Sequence, residues 1–236
     1  MGTLVEIGVP ADQEQLLPGL WAVLDTVHAR MSMFDAASDL SRLHATRAGV
    51  PIAVHPWTAA VLHLAQAWHR ACPAFDVALG TGAWRIQGEQ ASRLDDDTRL
   101  DLGGLAKGWA VDRVFDAARQ AGLMRLWVNA GGDLRVAGLD LPIHLRDERQ
   151  GGAWPWGHLS EGAMATSDFR PGARASLWSP DASPDQAQRQ YLSVIADACA
   201  TADALTKVVA AWGLHDPRTQ VLLRTHRAQA WVHDVG

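Results

Sequence analysis

Two pairs of adjacent glycines, each close to an aspartate, are the residues of this sequence best suited to binding a phosphorylated ligand. The first pair is Gly103-Gly104, which follows Asp101, and the second is Gly131-Gly132, which precedes Asp133. Glycine lets a diphosphate approach the backbone closely, and the unpaired N–H groups at the start of a helix favour an anion. Either pair alone is more typical of a helix cap or an ordinary hairpin, because short glycine motifs are frequent by chance. Their joint spacing favours a cradle for a diphosphate.

A helix and a strand must position these glycines. Apolar residues recur near helical spacing after Gly104 and predict a helix running to Gly122, with Lys107 in its first turn to add a positive charge. The segment 126–128 predicts a buried strand, 130–133 a turn, and 134–136 the strand that follows.

The remaining sequence predicts a mixture of strands, helices and loops. Further strands are expected near residues 3–9, 143–145, 191–196, 221–223 and 230–235. Further helices are expected near 16–31, 57–72 and 202–212, and loops near 35–43, 151–157 and 179–188. This order fits an α+β fold with helices against a mainly antiparallel sheet. Since no internal repeat or linker-like composition interrupts it, residues 1–236 are expected to form a single domain.

Composition restricts the function without identifying it. A chain of 236 residues that is 48% hydrophobic can bury a sizeable core, and its net charge of −5 argues against a nucleic-acid partner. Cys72 and Cys199 form neither a metal pattern nor a disulfide framework, so buried thiols are expected. No apolar run approaches the length of a membrane segment. The absence of a G-x-G-x-x-G fingerprint after a strand argues against a nicotinamide dehydrogenase.

At the glycine pairs, the sequence resembles the ApbE family of FAD:protein FMN transferases. The family's D-L-G-G-[IL]-A-K-G-x-A-V-D matches residues 101–112, and its V-N-A-G-G-D-[LI]-R matches residues 128–135. Weaker matches occur in the family's order at residues 1–3 (M-G-T), 31–34 (M-S-x-F), 38–43 (S-x-L-S-R-L), 75–80 (F-D-x-x-x-G), 165–167 (A-T-S) and 202–206 (A-D-A-L-T). The resemblance covers nearly the whole chain, although family members are usually longer. His44 stands where the family usually has asparagine.

The resemblance implies an α+β fold, FAD and Mg²⁺ as cofactors, and transfer of FMN to a threonine or serine of an acceptor flavoprotein with release of AMP. By position, the flavin nucleotide site would contain Asp101, Gly103, Gly104, Lys107, Asn129, Gly131, Gly132 and Asp133. Further candidates are Ser32, Phe34, Asp76, Gly80, Thr166 and Ser167. For Phe34, a place in the core is as good a prediction as a stacking surface for the ligand. Asp39 or Ser41 could simply cap a turn. For Asp112, a buried ion pair in the neighbourhood of Arg113 or simple solvation is an equally good prediction.

The implied metal site departs from the family pattern. In the family pattern D-A-L-x-T, an acid and a hydroxyl lie one helical turn apart, so that both can reach Mg²⁺. The resemblance therefore implies Mg²⁺ ligands at Asp203, Thr206 and the main-chain oxygen of Ala106. Here Lys207 is the residue four positions after Asp203, and Thr206 is displaced by one. A charged ammonium cannot bind Mg²⁺. Two interpretations stay open: Lys207 replaces the cation, or Asp203 and backbone carbonyls hold a metal while Lys207 points to solvent or phosphate.

The implied histidine motif is also altered. Relatives carry H-[IL]-x-D-P-R-T-G after the A-T-S-G strand, whereas the corresponding residues 176–181 contain neither histidine nor arginine. The later segment 215–219, H-D-P-R-T, imitates part of the motif and is predicted to be a turn; His144 and His158 are the alternative bases. Two functions therefore stay open, an active flavin transferase and a degenerate relative that binds FAD or another nucleotide without transferring it.

The start of the chain suggests a location. Met1 begins directly on the family's opening block, with no secretory segment before it. Many relatives are exported, so we expect this protein to be cytoplasmic unless an export signal has been removed.

Overall fold

A computed structural model describes residues 3–146, 151–170 and 191–233. The first two residues of the M-G-T block, the segment 176–181 and the predicted loop at 179–188 lie outside the described residues. In chain order the elements are β1 (Val5–Gly8), a 3₁₀ turn (Ala11–Leu16), α1 (Leu17–Met31), α2 (Asp39–Ala45), β2 (Ile52–Ala53), α3 (Pro56–Ala71), β3 (Trp84–Gln87), β4 (Gln90–Arg93), α4 (Ala106–Gln120), β5 (Leu126–Ala130), β6 (Asp133–Arg146), β7 (Ala153–Asp168), β8 (Tyr191–Ala196), α5 (Cys199–Trp212), α6 (Pro217–Thr225) and β9 (Gln229–His233).

The larger sheet has the strand order β1-β5-β6-β7-β8-β9, and every neighbouring pair in it is antiparallel. Strands β2, β4 and β3 form a smaller antiparallel sheet. Helices α4 and α5 pack against one face of the larger sheet and against each other. The predicted α+β fold, with helices against a mainly antiparallel sheet, is confirmed.

Helix α4 lies in the main core, where it packs against α1, α5 and strands β5 and β6. Val111, Val114, Phe115 and Ala118 are spaced at i, i+3, i+4 and i+7, and all four are buried. The opposite face of the sheet carries a smaller apolar cluster that includes Leu134, Val136, Ile143, Met164 and Tyr191. Residues that alternate along β6 and β7 therefore face either the helices or this second cluster.

Three predicted segments are wrong. The expected loop at 35–43 contains helix α2, in which the Ser38 side chain accepts the N–H of Ser41. The buried carboxylate of Asp39 accepts hydrogen bonds from His55 N and Thr58 Oγ1 at 2.8 and 2.7 Å. The expected loop at 151–157 overlaps β7, because pairing with β6 outweighs its glycine and proline content.

The expected strand at 221–223 lies inside helix α6, and the H-D-P-R-T segment begins that helix instead of forming an isolated turn. The side chain of Asp216 accepts a hydrogen bond from Arg218 N at 2.8 Å, and Pro217 occupies the first helical position.

Two other expectations concern cysteines and membrane segments. Cys72 and Cys199 are fully buried free thiols, as predicted. Among the described residues, every helix is too short or too polar to span a bilayer.

Candidate functional site

One lysine side chain joins the two glycine turns. Lys107, in the first turn of α4, donates from Nζ to the carbonyl oxygen of Gly103 at 2.9 Å and forms an ion pair with Asp133 Oδ2 at 2.8 Å. Asp133 directly follows the Gly131-Gly132 turn between β5 and β6. The Lys107 ammonium therefore lies between the turn that precedes α4 and the turn of the β5–β6 hairpin.

Helix α5 adds a second aspartate and a second lysine. Asp203 is 1% exposed, and its Oδ2 lies 3.6 Å from Lys107 Nζ. Lys207, one helical turn later, donates to Asp203 Oδ1 and lies 3.4 Å from Ser167 Oγ on β7. Of the 21 lysines and arginines in the chain only two are lysines, and both belong to this lysine–aspartate cluster of Lys107, Asp133, Asp203 and Lys207.

Burial and mutual charge set the protonation of the cluster. Burial lowers the pKa of Lys107, but the carboxylates of Asp133 and Asp203 outweigh this effect and raise its pKa well above the usual range. Burial and the neighbouring Asp203 carboxylate raise the pKa of Asp133 to about 6, against the opposing effect of both lysines. Lys107 is therefore a permanent positive charge at neutral pH.

The glycine cradle has fewer available amides than its sequence predicts. Asp101 Oδ1 accepts the N–H of Gly103 at 2.7 Å, and Asn129 Oδ1 accepts that of Gly132 at 3.0 Å. Within the described part of the chain, the N–H groups of Gly104 and Gly131 donate to no protein acceptor. Asp101 and Asn129 thus shape the turns, and two of the four glycine amides are left for a ligand.

Asp76 and Gly80 form a turn that supports Asp101. The carboxylate of Asp76 accepts hydrogen bonds from the N–H groups of Ala78 and Gly80, both at 2.9 Å. Within this turn, the carbonyl oxygen of Val77 accepts the N–H of Asp101 at 2.7 Å. The geometry therefore gives Asp76 a role in shaping the backbone next to the first glycine pair.

His44 also fixes the backbone next to Asp101. Its Nε2 accepts the N–H of Leu100 at 2.9 Å, one residue before Asp101. Burial, together with the charges of Arg99 and Arg93, lowers the pKa of His44, which keeps this nitrogen free of a proton at neutral pH.

Ser32 and Phe34 lie in the loop after α1. Ser32 Oγ accepts the N–H of Phe34 at 3.1 Å, which shapes a local turn. Phe34 is 91% exposed, so of the two alternatives for this residue a place in the core is wrong. An exposed ring remains available to a ligand.

Thr166 and Ser167 point to opposite faces of the sheet. Ser167 Oγ lies 2.9 Å from Thr206 Oγ1 on the α5 side. Thr166 Oγ1 lies 2.9 Å from Ser193 Oγ, which in turn lies 2.8 Å from His233 Nε2. Sequence reasoning missed this Thr166–Ser193–His233 network, because its members come from three strands and no local pattern links them.

The alternative bases lie in the outer half of the β6–β7 hairpin. His158 Nδ1 lies 2.8 Å from Asp140 Oδ2, and both side chains are more than half exposed. His144 is exposed on β6 and pairs in register with Pro155 on β7.

Asp112 and Gly108 lock helices α4 and α5 together. The buried Asp112 carboxylate accepts the first N–H groups of α5, from Cys199 and Ala200, both at 2.9 Å, and Arg135 Nη1 on β6 at 2.7 Å. A Cβ atom on Gly108 would lie only 2.7 Å from Cys199 O, so the absence of a side chain permits the close approach. Of the two alternatives for Asp112, a buried ion pair is correct, but its partner is Arg135 on β6, whereas Arg113 pairs with Asp116. These contacts set the distance between Lys107 on α4 and Lys207 on α5.

The residues expected to bind Mg²⁺ do not fit that ion. Thr206 Oγ1 donates to the carbonyl oxygen of Asp203 at 2.7 Å, and both carboxylate oxygens of Asp203 lie beside lysine ammonium groups. Ala106 is the first residue of α4. Over residues 3–146, 151–170 and 191–233, no group of three or more His, Cys, Asp or Glu side chains is arranged to hold a metal.

Gly131→Ala is expected to destabilise the protein by about 1–3 kcal/mol, more than Gly49→Ala. Gly131 has φ +64°, and an added Cβ would overlap the Thr3 hydroxyl and lie 2.9 Å from Thr3 Cβ. Gly49 has φ +78° but no atom within 4 Å of the new methyl group, so it controls for backbone strain alone. Urea unfolding measures both variants. Equal losses of stability would contradict the assigned contact with Thr3.

Comparisons with known proteins agree with the sequence resemblance. The model of the ApbE family matches residues 1–98 and 81–230. The structure is similar to the flavin transferase ApbE from Vibrio cholerae, with a TM-score of 0.77 and 22% identity over 98% of this chain and 90% of that one. The flavinyl transferase ApbE from Pseudomonas stutzeri has a TM-score of 0.71 and 18% identity over 99% and 92% of the two chains.

The ApbE protein from Thermotoga maritima has a TM-score of 0.75 and 19% identity over 98% of this chain and 91% of that one. At these identities the structural likenesses show a shared fold. No curated protein matches the sequence.

Proposed function

The chain belongs to the ApbE family, and on that basis we propose that it binds FAD and transfers the FMN half to a threonine or serine of an acceptor flavoprotein. The observation that carries the proposal is the position of Lys107, whose ammonium bridges the Gly103-Gly104 turn and the aspartate after Gly131-Gly132. Two glycine turns from separate elements thereby share one fixed positive charge. A diphosphate needs this combination of close backbone approach and cationic charge.

The proposed contacts to FAD follow from the groups left without protein partners. The N–H groups of Gly104 and Gly131 would donate to the diphosphate, and Lys107 would neutralise part of its charge. The exposed ring of Phe34 is the proposed stacking surface for an aromatic part of the ligand.

The proposed reaction is a phosphoryl transfer. The acceptor hydroxyl oxygen forms a bond to the flavin-side phosphorus, the P–O bond to the adenylate side breaks, and AMP leaves while the hydroxyl proton is released to solvent. Such transfer depends mainly on positioning and charge neutralisation, which the glycine turns and Lys107 are suited to supply. The residues expected to bind Mg²⁺ are engaged with ammonium groups and with each other, so no Mg²⁺ ligand is assigned to them.

FAD binding without transfer is the second candidate. The observation that favours it is the replacement of the family's histidine motif at residues 176–181. Incubation with FAD and a threonine-containing acceptor peptide, with Mg²⁺ and again with EDTA, separates the two candidates. Covalent flavin on the peptide together with AMP supports the transferase. Saturable FAD binding with neither product supports the binding protein, and absence of FAD binding overturns both.

Lys107→Met is expected to weaken FAD affinity by about 10- to 100-fold, the equivalent of one charge-assisted hydrogen bond. Isothermal titration calorimetry measures the change. Arg113→Met is the matched control, because Arg113 lies on the same helix with a side chain 38% exposed and pairs with Asp116 instead. Equal affinities for Lys107→Met and Arg113→Met would contradict the assignment of the diphosphate site.

A further inference from the structure

We infer that Lys207 supplies, as a fixed ammonium group, the positive charge that a divalent cation would bring to this site, so that the chain binds its dinucleotide without a metal ion. The inference rests on the proposed function, since it concerns the same diphosphate site. It selects one of the two interpretations that the sequence leaves open for Lys207.

The position of Lys207 is the first support. Its side chain is 10% exposed and extends from α5 toward the first glycine pair. Lys207 Cε lies 3.2 Å, and Nζ 3.9 Å, from the position that a Cβ atom on Gly104 would take. The ammonium therefore lies directly beneath a glycine whose N–H is available to a ligand, and not in bulk solvent.

The surroundings of Asp203 are the second support. Lys207 Nζ donates to Asp203 Oδ1, and Lys107 Nζ lies 3.6 Å from Asp203 Oδ2. Mg²⁺ binds carboxylate oxygen at about 2.0–2.1 Å, so an ion on Asp203 would lie against one or both ammonium groups. Like charges at such distances repel strongly in a buried site.

The carboxylate oxygens that lack an aligned hydrogen bond are the third support. These atoms are Asp133 Oδ2 and Asp203 Oδ2. They lie 2.8 and 3.6 Å from Lys107 Nζ, so an ammonium group already occupies the place where a cation would join the two carboxylates. With Lys207 on the remaining oxygen of Asp203, both oxygens of this carboxylate lie beside ammonium groups, and neither is left to bind a divalent ion.

The chain's use of lysine agrees with this assignment. Arginine supplies every other fixed cationic side chain in the sequence, and both lysines meet at this cluster. A lysine ammonium is a compact point charge with three donors, whereas the arginine guanidinium is a broad planar fork. A compact charge is the closer substitute for a small metal ion.

The wild-type protein tests the inference directly. FAD affinity is measured by calorimetry after metal removal, in EDTA and in excess Mg²⁺. We expect the two dissociation constants to agree within about twofold, which corresponds to less than half a kcal/mol. FAD binding that is lost in EDTA and restored by Mg²⁺ would overturn the inference and leave the proposed function standing. Absence of FAD binding in both buffers would overturn the proposed function itself.

Lys207→Thr tests the residue. The substitution restores the family's D-A-L-x-T spacing from Asp203, with an acid and a hydroxyl one helical turn apart. We expect FAD affinity in EDTA to fall at least about tenfold, and Mg²⁺ to restore most of it. Lys207→Met removes the charge without adding a ligand and is expected to recover less affinity in Mg²⁺ than Lys207→Thr. Thermal unfolding verifies that each variant is folded, and wild-type affinity of Lys207→Thr in EDTA would refute the role of Lys207.

Discussion

Asp112→Ala is expected to lower the free energy of unfolding by about 3–5 kcal/mol, because it removes one partner of a buried ion pair and the cap of a buried helix start. The Asp112 carboxylate is the acceptor for Cys199 N, Ala200 N and Arg135 Nη1. Alanine would leave two N–H groups and a guanidinium without this acceptor. Urea unfolding followed by tryptophan fluorescence measures the loss, and an unchanged dependence on urea concentration verifies that only stability has changed.

Two further variants separate the contributions at this position. Asp112→Asn keeps one oxygen for the α5 amides but removes the charge, so its loss of stability is expected to lie between those of wild type and Asp112→Ala. Asp116→Ala removes an acid whose side chain is 38% exposed and lies 3.7 Å from the same arginine; its effect is expected to stay below about 1 kcal/mol. If Asp112→Ala costs no more than Asp116→Ala, the capping role of Asp112 is wrong.

Gly108→Ala is expected to destabilise the protein by about 1–3 kcal/mol, although alanine is the better helix former. The new methyl group would lie 2.7 Å from Cys199 O and 2.9 Å from Ala200 Cα. Because these are backbone atoms, α5 must move away from α4. Asp203 and Lys207 move with it, so FAD affinity is expected to fall together with stability.

Gly19→Ala is the matched control for Gly108→Ala. Gly19 is the third residue of α1, is exposed, and has no atom within 4 Å of an added Cβ. Its replacement is expected to stabilise the protein by about 0.5–1 kcal/mol through helix propensity alone. If Gly19→Ala raises the free energy of unfolding and Gly108→Ala lowers it, the difference is due to the contact between α4 and α5. A stabilising Gly108→Ala would show that this contact is looser than the structure has it.

Elements with strong local patterns are predictable from the sequence. The apolar spacing after Gly104 predicts α4, and the Gly131-Gly132 pair predicts the β5–β6 turn, because both depend on residues adjacent in the chain. Helix α2 and helix α6 are missed for the opposite reason. Helix α2 is short and polar and depends on the burial of Asp39 by α3, while the three apolar residues at 221–223 resemble a strand only when the cap at Asp216 is ignored.

The same distinction between local and tertiary features applies to the candidate site. Backbone geometry at the two glycine turns, the start of α4 and the family signature around Lys107 are properties of contiguous residues, and the sequence by itself determines them. Only the tertiary structure decides that Lys107 bridges both turns, that Asp101 and Asn129 occupy two of the four glycine amides, and that Lys207 is buried on Asp203. Buried charges and donors take their partners from whichever segments the fold brings within about 3 Å, and spacing along the chain does not specify those segments.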